Sequence, residues 1–458
     1  MKKVIITSLL ALLCPLISSA QTFNDYVAAN INPSDFYEHS LIRSVNSTSI
    51  LVHYHDNNLD AGIIALIDQS RYIYRIQLPG YSYLNDLRIV DQNVYFCGII
   101  NSKPAIGHVK LTEFSHPAPH SITYYTANTG YISNIEHLVA YDIGGLQKVV
   151  AVGYRSYVNN PIEPCEAGFY IPGYENYTCL RTVVIEADFS GATLLYDSHI
   201  TTNDTNETEI IDNVVETPNY VAFTGYYNNL HSIIIHRCDK ISVLSSFSND
   251  GFYGYYTTNE RLSKFKCCYL NGDTIALASL STYYNAGIQE FSTNVRLFDL
   301  RTMANTHAQL VPLNTKSEPY DLLYMPDQLQ LILLQQNIFL PSTGREWNTF
   351  VHLLPYDPIT YPAKCWYKTH DIYTFHSIDR LANSLYGAIG GNSLCTKELN
   401  SIGTNSCYNA DNINVSPIGT LPETYYNRFY FNLPILSPPT PHVSNLIYDS
   451  IITSCFQP

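Results

Sequence analysis

Charged side chains are scarce in this sequence of 458 residues. Asp, Glu, Lys and Arg make up 14% of it, whereas about 25% is usual in globular domains. The net charge is −14, and Lys and Arg form no cluster of the kind that displaces counterions from phosphates. The sequence therefore argues against a nucleic-acid partner. Its 39 tyrosines, with Asn, Ser and Thr covering the surface, favour an extracellular β protein.

Signatures of helices, membrane spans and catalysis are also missing. No apolar run after residue 20 is long enough for a transmembrane helix, and no sustained i, i+3, i+4, i+7 pattern indicates an amphipathic helix. The motifs HExxH and GxSxG, a glycine-rich phosphate loop and any CxxC pair are absent from the sequence. We therefore predict no transmembrane segment in the mature chain, no metal and no cofactor.

The first twenty residues have the pattern of a signal peptide. Lys2 and Lys3 precede an apolar run from Val4 to Ile17, and the small residues 18–20 (Ser-Ser-Ala) suit a cleavage site. The apolar run is short for a membrane anchor. We therefore predict an exported protein, either periplasmic, at the cell surface or extracellular, whose mature chain (21–458) is a single domain.

Ten of the eleven cysteines lie after the signal peptide. An even number of cysteines in an oxidising compartment favours disulfides. Two local pairs fit: Cys165 with Cys179, which would close an insertion near residues 160–180, and Cys395 with Cys407.

A repeated unit is the strongest pattern in the chain. Residues 81–111 contain three apolar runs, LNDLRIV, VYFCGII and AIGHVKL, separated by Asx-rich turns, which is typical of an antiparallel meander. The second run contains a small residue, Gly98, that serves as a marker. Corresponding markers follow at Gly153, Gly225, Ala278 and Gly387. Runs near His53 and Leu334 occupy the same place without a small residue.

The spacing of these markers predicts the fold. Each unit holds roughly four strands, and units follow one another at roughly 40–55 residues once the insertion is set aside, a period typical of β-propellers. We therefore predict an all-β protein with a β-propeller of about seven four-stranded blades. Two β-sandwich domains are the alternative. Apolar segments after residue 411 would complete the last blade or pair with the mature N-terminus.

The unit at residues 81–111, its recurrence over most of the mature chain and the export signal resemble secreted bacterial β-propeller proteins. The resemblance is architectural, because the WD dipeptide at blade ends, the kelch double glycine and the Asp box of sialidases are all missing from the sequence. It implies a propeller fold, identifies no specific family and transfers no catalytic residue.

Acidic or amide side chains stand in the apolar run upstream of several of these places. They are Asp86, Asn134, Asp212, Asp321 and Asp371. If these runs are the innermost strands, the side chains converge at one mouth of the channel, where they would bind a cation or the hydroxyls of a sugar. Paired carboxylates there would also suit glycoside hydrolysis. The alternative is that each side chain accepts hydrogen bonds from nearby backbone N–H groups.

Tyrosine-rich loops form a second set of candidate ligand-binding residues, with Tyr81, Tyr83, Tyr226 and Tyr283 as members. A tyrosine ring gives a large contact area at low entropic cost, which suits a sugar face or a peptide side chain. The alternative is ordinary packing between blades.

His53, Tyr54 and His55 are followed by Asp56. In a strand, His53 and His55 would share one face, as two metal ligands do. No third ligand is evident, so we interpret them as polar residues at a strand end.

Together these patterns predict an exported, soluble binding protein that recognises an extracellular glycan or protein through loops on one propeller face. A glycoside hydrolase or lyase with acidic residues at the channel mouth is one alternative, and a structural component of a surface assembly is another. Propellers host all three kinds of function, so the fold does not choose among them.

Overall fold

The computed structural model describes residues 26–28, 41–158 and 178–453, apart from gaps of at most ten residues between strands. The predicted signal peptide (1–20) and most of the predicted insertion lie outside these ranges. The described residues are nearly all strands, with one 3₁₀ helix at Leu111–Ser115. No helix within the described ranges is long and apolar enough to cross a membrane.

The strands group into seven blades along the chain. After β1 (Tyr26–Ala28), blades 1 to 4 consist of β2 (Leu41–Asn46), β3 (Ser49–Asp56), β4 (Ala61–Asp68), β5 (Ile73–Gln77); β6 (Tyr83–Val90), β7 (Asn93–Ile100), β8 (Lys103–Lys110), β9 (His120–Thr126); β10 (Asn134–Ile143), β11 (Leu146–Val158), β12 (Thr178–Asp188), β13 (Leu195–Thr202); and β14 (Glu209–Glu216), β15 (Tyr220–Tyr227), β16 (Ser232–Asp239), β17 (Gly251–Tyr255). Blades 5 to 7 consist of β18 (Glu260–Asn271), β19 (Thr274–Asn285), β20 (Ile288–Asp299), β21 (Ala304–Pro312); β22 (Ser317–Met325), β23 (Gln330–Asn337), β24 (Trp347–Leu353), β25 (Ala363–Lys368); and β26 (Phe375–Leu381), β27 (Ser384–Ile389), β28 (Cys395–Leu399). The tail adds β29 (Asn409–Ile413), β30 (Ser416–Pro417), β31 (Arg428–Leu433), β32 (Thr440–Ser444) and β33 (Ile451–Thr453).

The first strand of each blade lines the centre of a closed ring. Each of these innermost strands contacts the innermost strand of the next blade, and β26 of blade 7 contacts β2 of blade 1. Strand pairs within the blades are antiparallel, as in blade 2, where β6 pairs with β7 and β7 pairs with β8. This ring confirms the predicted all-β propeller of seven blades over the alternative of two sandwiches.

Both ends of the chain close the ring at blade 7. Within the described residues, the chain segment 375–399 supplies three strands to this blade, and β1 pairs with β28 as the fourth. The last strand, β33, then pairs with the other edge of β1. The three residues of β1 are therefore held between strands from the C-terminal part of the chain. The sequence left open whether the segments after residue 411 complete the last blade or pair with the N-terminus, and β33 does both.

The C-terminal tail runs back around the outside of the ring. We call β29 to β33 the C-terminal belt. Its strands add a fifth strand to the outer edges of blades 6, 5, 3, 2 and 7, in that order along the chain. Within the described residues, blades 1 and 4 keep four strands. The belt covers outer edges whose N–H and C=O groups would otherwise lack strand partners.

The core lies between neighbouring blades. In β7, Val94 and Phe96 pack towards blade 1, whereas Tyr95 and Cys97 pack towards blade 3. Because alternate side chains of a strand point to opposite faces of its sheet, both faces of this blade are buried. This explains why the second strand of the repeat is apolar throughout.

Several marker glycines lie opposite a β-bulge in the innermost strand. In blade 2, Gly98 pairs with Leu84, and the extra residue Asn85 follows before the regular ladder resumes. A Cβ atom on Gly98 would overlap the carbonyl oxygen of Tyr83, so only glycine fits against the bulged strand. The same arrangement places Gly153 opposite the bulge at Glu136, and Gly225 opposite the bulge at Asp212.

Candidate functional site at the channel mouth

The innermost strands of all seven blades enclose a central cavity of about 560 Å³. This volume is in the range of small-molecule sites. Charged and amide side chains line much of it, among them Arg88, Glu136, Asn213, Lys266 and Asp321. The bulges of blades 2, 3, 4, 6 and 7 lie near the start of their innermost strands, and we call that end of the channel the bulge mouth.

Two of the predicted acids, Asp86 and Asp321, occupy equivalent places directly after the bulges of blades 2 and 6. Asp86 accepts hydrogen bonds from the N–H of Leu87 at Oδ1 (2.8 Å) and from the N–H of Leu138, in blade 3, at Oδ2 (3.2 Å). The carboxylate of Asp86 therefore joins blade 2 to blade 3.

Asp321 has the same two kinds of contact. Its Oδ1 accepts from the N–H of Leu322 (2.9 Å), and its Oδ2 accepts from the N–H of Ile378 in blade 7 (2.9 Å). Asp379 repeats the arrangement between blades 7 and 1, with Oδ2 accepting from the N–H of Ser44 (2.7 Å). We call Asp86, Asp321 and Asp379 the bridging carboxylates. The ligand-binding role predicted for Asp86 and Asp321 stays a prediction.

Arg43 extends these links across three blades. Its Nη2 lies 3.0 Å from Asp86 Oδ1, its Nε donates to the carbonyl of Leu87, and its Nη1 donates to Ser377 Oγ in blade 7. Burial by itself would raise the pKa of Asp86, but Arg88 and Arg43 hold it below the usual value for a carboxyl group. Asp86 is therefore ionised and bound on both oxygens.

The other predicted polar residues occupy different positions relative to the bulges of their strands. Asp212 is the bulge residue of blade 4, and its Oδ2 accepts from the N–H of Phe265 in blade 5 (3.0 Å). Asn134 begins β10, two residues before the bulge residue Glu136. Asp371 lies outside the described residues. The structure thus brings four of the five predicted residues to the innermost strands, without placing them in one ring.

The buried position of Asp212 can be tested through the pH dependence of stability. Burial raises its pKa to about 6, above the usual carboxyl value, so the folded state binds its proton more tightly than the unfolded state does. Stability should then fall as pH rises from about 4 to 6. We expect Asp212→Asn to remove this loss and to raise the free energy of unfolding at pH 7.5 by about 1–3 kcal/mol, measured by urea denaturation at pH 4.5, 6 and 7.5.

The matched control is Asp91→Asn, which removes an exposed carboxylate from a turn. This variant should keep the pH profile of the wild type. A profile for Asp212→Asn that runs parallel to the wild type between pH 4.5 and 7.5 would contradict the expectation.

Two of the predicted tyrosines form an aromatic shelf at the bulge mouth. Tyr81 is 38% exposed, its ring meets Tyr83 edge-on with 5.9 Å between centroids, and it lies 5.5 Å from the ring of His55. The N–H of Ser102 donates to the carbonyl of Tyr81 (3.0 Å). We call His55, Tyr81 and Tyr83 the aromatic shelf, since contacts on both sides fix the exposed ring.

The remaining tyrosines differ from this pair. Tyr226 stacks on Phe265 of the next blade, with 5.6 Å between centroids and 26° between planes, which is the packing alternative. Tyr283 lies in β19 and pairs with Glu260 and Glu290 along the backbone, and its side chain is outside the described part of the chain.

An amide relay of Asn85, Asn134 and Glu136 lines the cavity and begins two residues after Tyr83. Asn85 Nδ2 donates to Asn134 Oδ1 (2.9 Å), and Asn134 Nδ2 donates to Glu136 Oε1 (2.8 Å). Burial raises the pKa of Tyr83, and the neighbouring Tyr81 and the charge of Glu136 add to the effect. Shelf and relay are therefore neighbours along β6, with Tyr83 in the shelf, Asn85 in the relay and the charge of Glu136 acting on Tyr83.

His53 and His55, which the sequence placed at a polar strand end, form hydrogen bonds with the backbone. His53 is buried, its Nδ1 lies 3.0 Å from the carbonyl of Ile63, and its Nε2 accepts from the N–H of Leu84 (2.9 Å). Those bonds require a neutral ring with the proton on Nδ1. His53 therefore connects blades 1 and 2, and His55 belongs to the aromatic shelf.

Burial raises the pKa of both neighbouring cysteines in β18. Cys267 and Cys268 are free thiols that pack towards blades 4 and 6 respectively, and burial raises the pKa of Cys267 to about 12. Because the thiolate is the reactive form, Cys267 is poorly suited to covalent catalysis. The predicted pairs Cys165–Cys179 and Cys395–Cys407 fall on side chains outside the described residues and stay predictions.

Sequence reasoning missed Glu136, His137, Lys264 and Lys266, all of which line the cavity. A signal for one of them exists, since Asp86 and Lys266 each stand twelve residues before a marker (Gly98 and Ala278). Because the predicted set contained only acidic and amide residues, it did not include the lysine that stands twelve residues before Ala278.

No family model and no curated protein matches the chain. Among solved structures, the WD40 domain of SCAP from fission yeast is similar to 82% of this chain and 98% of its own length, at 8% identity and a TM-score of 0.25. A likeness of this degree carries no argument about function, and the fold rests on the seven sheets themselves. The resemblance to secreted bacterial propellers stays a prediction.

Proposed function

We propose that this protein is an exported binding protein that recognises an extracellular glycan at the bulge mouth. The observation that carries the proposal is the exposed ring of Tyr81, which packs on Tyr83, together with the Asn85–Asn134–Glu136 relay, which begins two residues after Tyr83 in β6 and lines the cavity. An aromatic face for stacking beside amide and carboxylate groups matches the mixed apolar and hydroxylated surface of a sugar. The signal-peptide pattern at residues 1–20 supports export.

The bridging carboxylates support binding over hydrolysis. Hydrolysis of a glycoside uses two carboxyl groups, one as acid and one as nucleophile or base. Asp86 and Asp321 already accept backbone N–H groups from two blades each, so neither is placed to change its protonation freely during a reaction.

The proposal is tested with the mature chain from Gln21 on a panel of neutral and acidic glycans, with bound ligand and released product measured together. We expect saturable binding without product. Tyr81→Ala should weaken it at least about tenfold, the effect of losing roughly 1.4 kcal/mol of contact. Tyr269→Ala is the control, because Tyr269 is equally exposed (39%) but lines the cavity at its opposite end, near the end of β18.

Equal effects of the two tyrosine variants would contradict a site at the bulge mouth. Product release that disappears in Asp212→Asn would instead make the protein a glycoside hydrolase. Absence of glycan binding, together with capture of a protein ligand that depends on Tyr81, would replace the glycan with a protein.

A further inference from the structure

The bulge of blade 5 at the mouth of the channel contains a lysine with unusual backbone angles. As in blades 2 and 3, the innermost strand has one residue more than its partner, because Lys264 and Phe265 lie opposite Ser279 between two regular pairs of β18 and β19. Lys264 has a φ of +56°, in the left-handed region that is strained for a non-glycine residue. Glycine would avoid this strain, yet the position holds a lysine.

The charges of Lys264 and Lys266 partly offset the burial that raises the pKa of Asp212 in blade 4, but they form no ion pair with it. Lys264 is exposed, Lys266 lines the cavity, and within the described side chains no carboxylate lies at ion-pair distance from either ammonium group. By contrast, Arg43 and Arg88 lie 3.0 and 3.2 Å from the oxygens of Asp86. Lys264 and Lys266 therefore differ from the arginines that help to join the blades.

The charge of Lys266 acts on His137 in blade 3. Burial lowers the pKa of His137, in blade 3, to about 3, and Lys266 is the largest charge that adds to this effect. His137 is consequently neutral at pH 7, although Asp86 Oδ2 lies 3.9 Å from its Nδ1. Glu136 is the bulge residue of the same blade as His137 and belongs to the amide relay.

We infer that the glycan is acidic, with a carboxylate or sulfate group bound by Lys264 and Lys266 and with hydroxyl groups donating to Glu136. The inference rests on the proposed function. An ammonium group is a compact charge with three donors, so a pair of them suits an anionic group that approaches from solvent. The shelf and relay then hold the neutral part of the sugar.

The test compares three oligosaccharides of similar length: a polygalacturonate fragment with carboxylates, a heparin fragment with sulfates and a neutral dextran fragment. The double variant Lys264→Gln/Lys266→Gln should bind the preferred acidic fragment at least about tenfold more weakly, with a smaller dependence on salt. The control Lys103→Gln/Lys110→Gln removes two exposed lysines from β8 and should change the affinity less than about threefold.

Lys264→Gly separates this role from a structural one. It removes the charge and the left-handed strain together, so it should unfold at the same or a higher temperature while binding the acidic fragment more weakly. Equal affinity for acidic and dextran fragments, or unchanged affinity in both lysine variants, overturns the inference and leaves glycan binding intact. Failure of all three fragments to bind overturns the proposed function and this inference with it.

Discussion

A chain that ends at Leu399 should unfold at a temperature at least about 5 °C below that of the full chain, because it lacks the C-terminal belt. Without β33, the strand β1 keeps only its pairing with β28, in which Tyr26 lies opposite Thr396 and Val27 opposite Cys395. So short a contact closes the ring weakly, since strands of this length are stable only within a larger sheet.

The belt also protects long outer edges. In blade 3, β31 pairs with residues 197–202 of β13, and each ladder hydrogen bond contributes about 0.5–1.5 kcal/mol net. The entropy of ordering the tail offsets part of this sum, so we expect a net loss of a few kcal/mol and not complete unfolding.

Calorimetry and hydrogen exchange would measure the two effects separately. Peptides that contain Tyr26–Ala28 should lose protection when the chain ends at Ser444, which removes β33 alone among the described strands. A chain that ends at Thr453 keeps every described strand and serves as the control. If the chain that ends at Leu399 melts with the full chain and keeps β1 protected, the belt does not close the ring.

Asp86→Asn should cost about 3–5 kcal/mol of unfolding free energy, the usual effect of removing one member of a buried ion pair. Arg43 would then keep its buried charge without its 3.0 Å partner, and the new amide group would place N–H donors against the guanidinium groups. The pKa of Asp86 is lowered in the fold, so its contribution is present at neutral pH and is lost as pH falls below about 4.

Asp321→Asn is the matched comparison, because Asp321 makes the same backbone contacts with no arginine at ion-pair distance among the described residues. It should cost about 1–3 kcal/mol, the range for a buried hydrogen bond. Urea denaturation at pH 7 measures both variants. Equal losses would show that Arg43 and Arg88 add nothing to the bridge.

The blade count could be predicted from the sequence because a local physical requirement repeats. A bulged innermost strand leaves no room for a side chain opposite it, so Gly98, Gly153 and Gly225 recur at that place. In blade 7 the marker is less accurate, since Gly387 pairs with Ile378, beyond the bulge. The belt could not be predicted in detail, because strand pairing between residues hundreds of positions apart leaves no local pattern.

The candidate site was predictable in part. Tyr81 and Tyr83 form the aromatic shelf as the clustering of tyrosines suggested, although nothing local distinguished them from Tyr226, which packs between blades. The acids were located on the innermost strands, but their partners come from the next blade. Because that contact spans about fifty residues, the sequence alone does not show whether a carboxylate faces a ligand or a backbone N–H.

The reverse course of the belt determines how the molecule responds to force. A pull on the C-terminus acts first on β33, then on the belt strands of blades 2, 3, 5 and 6, each a separate ladder at the rim of the ring. The load therefore opens the strands one after another instead of shearing them together, and the first opening also exposes one edge of β1. The C-terminal belt therefore consists of separate short ladders, and the ladder nearest the C-terminus is the one that pairs with the N-terminal strand β1.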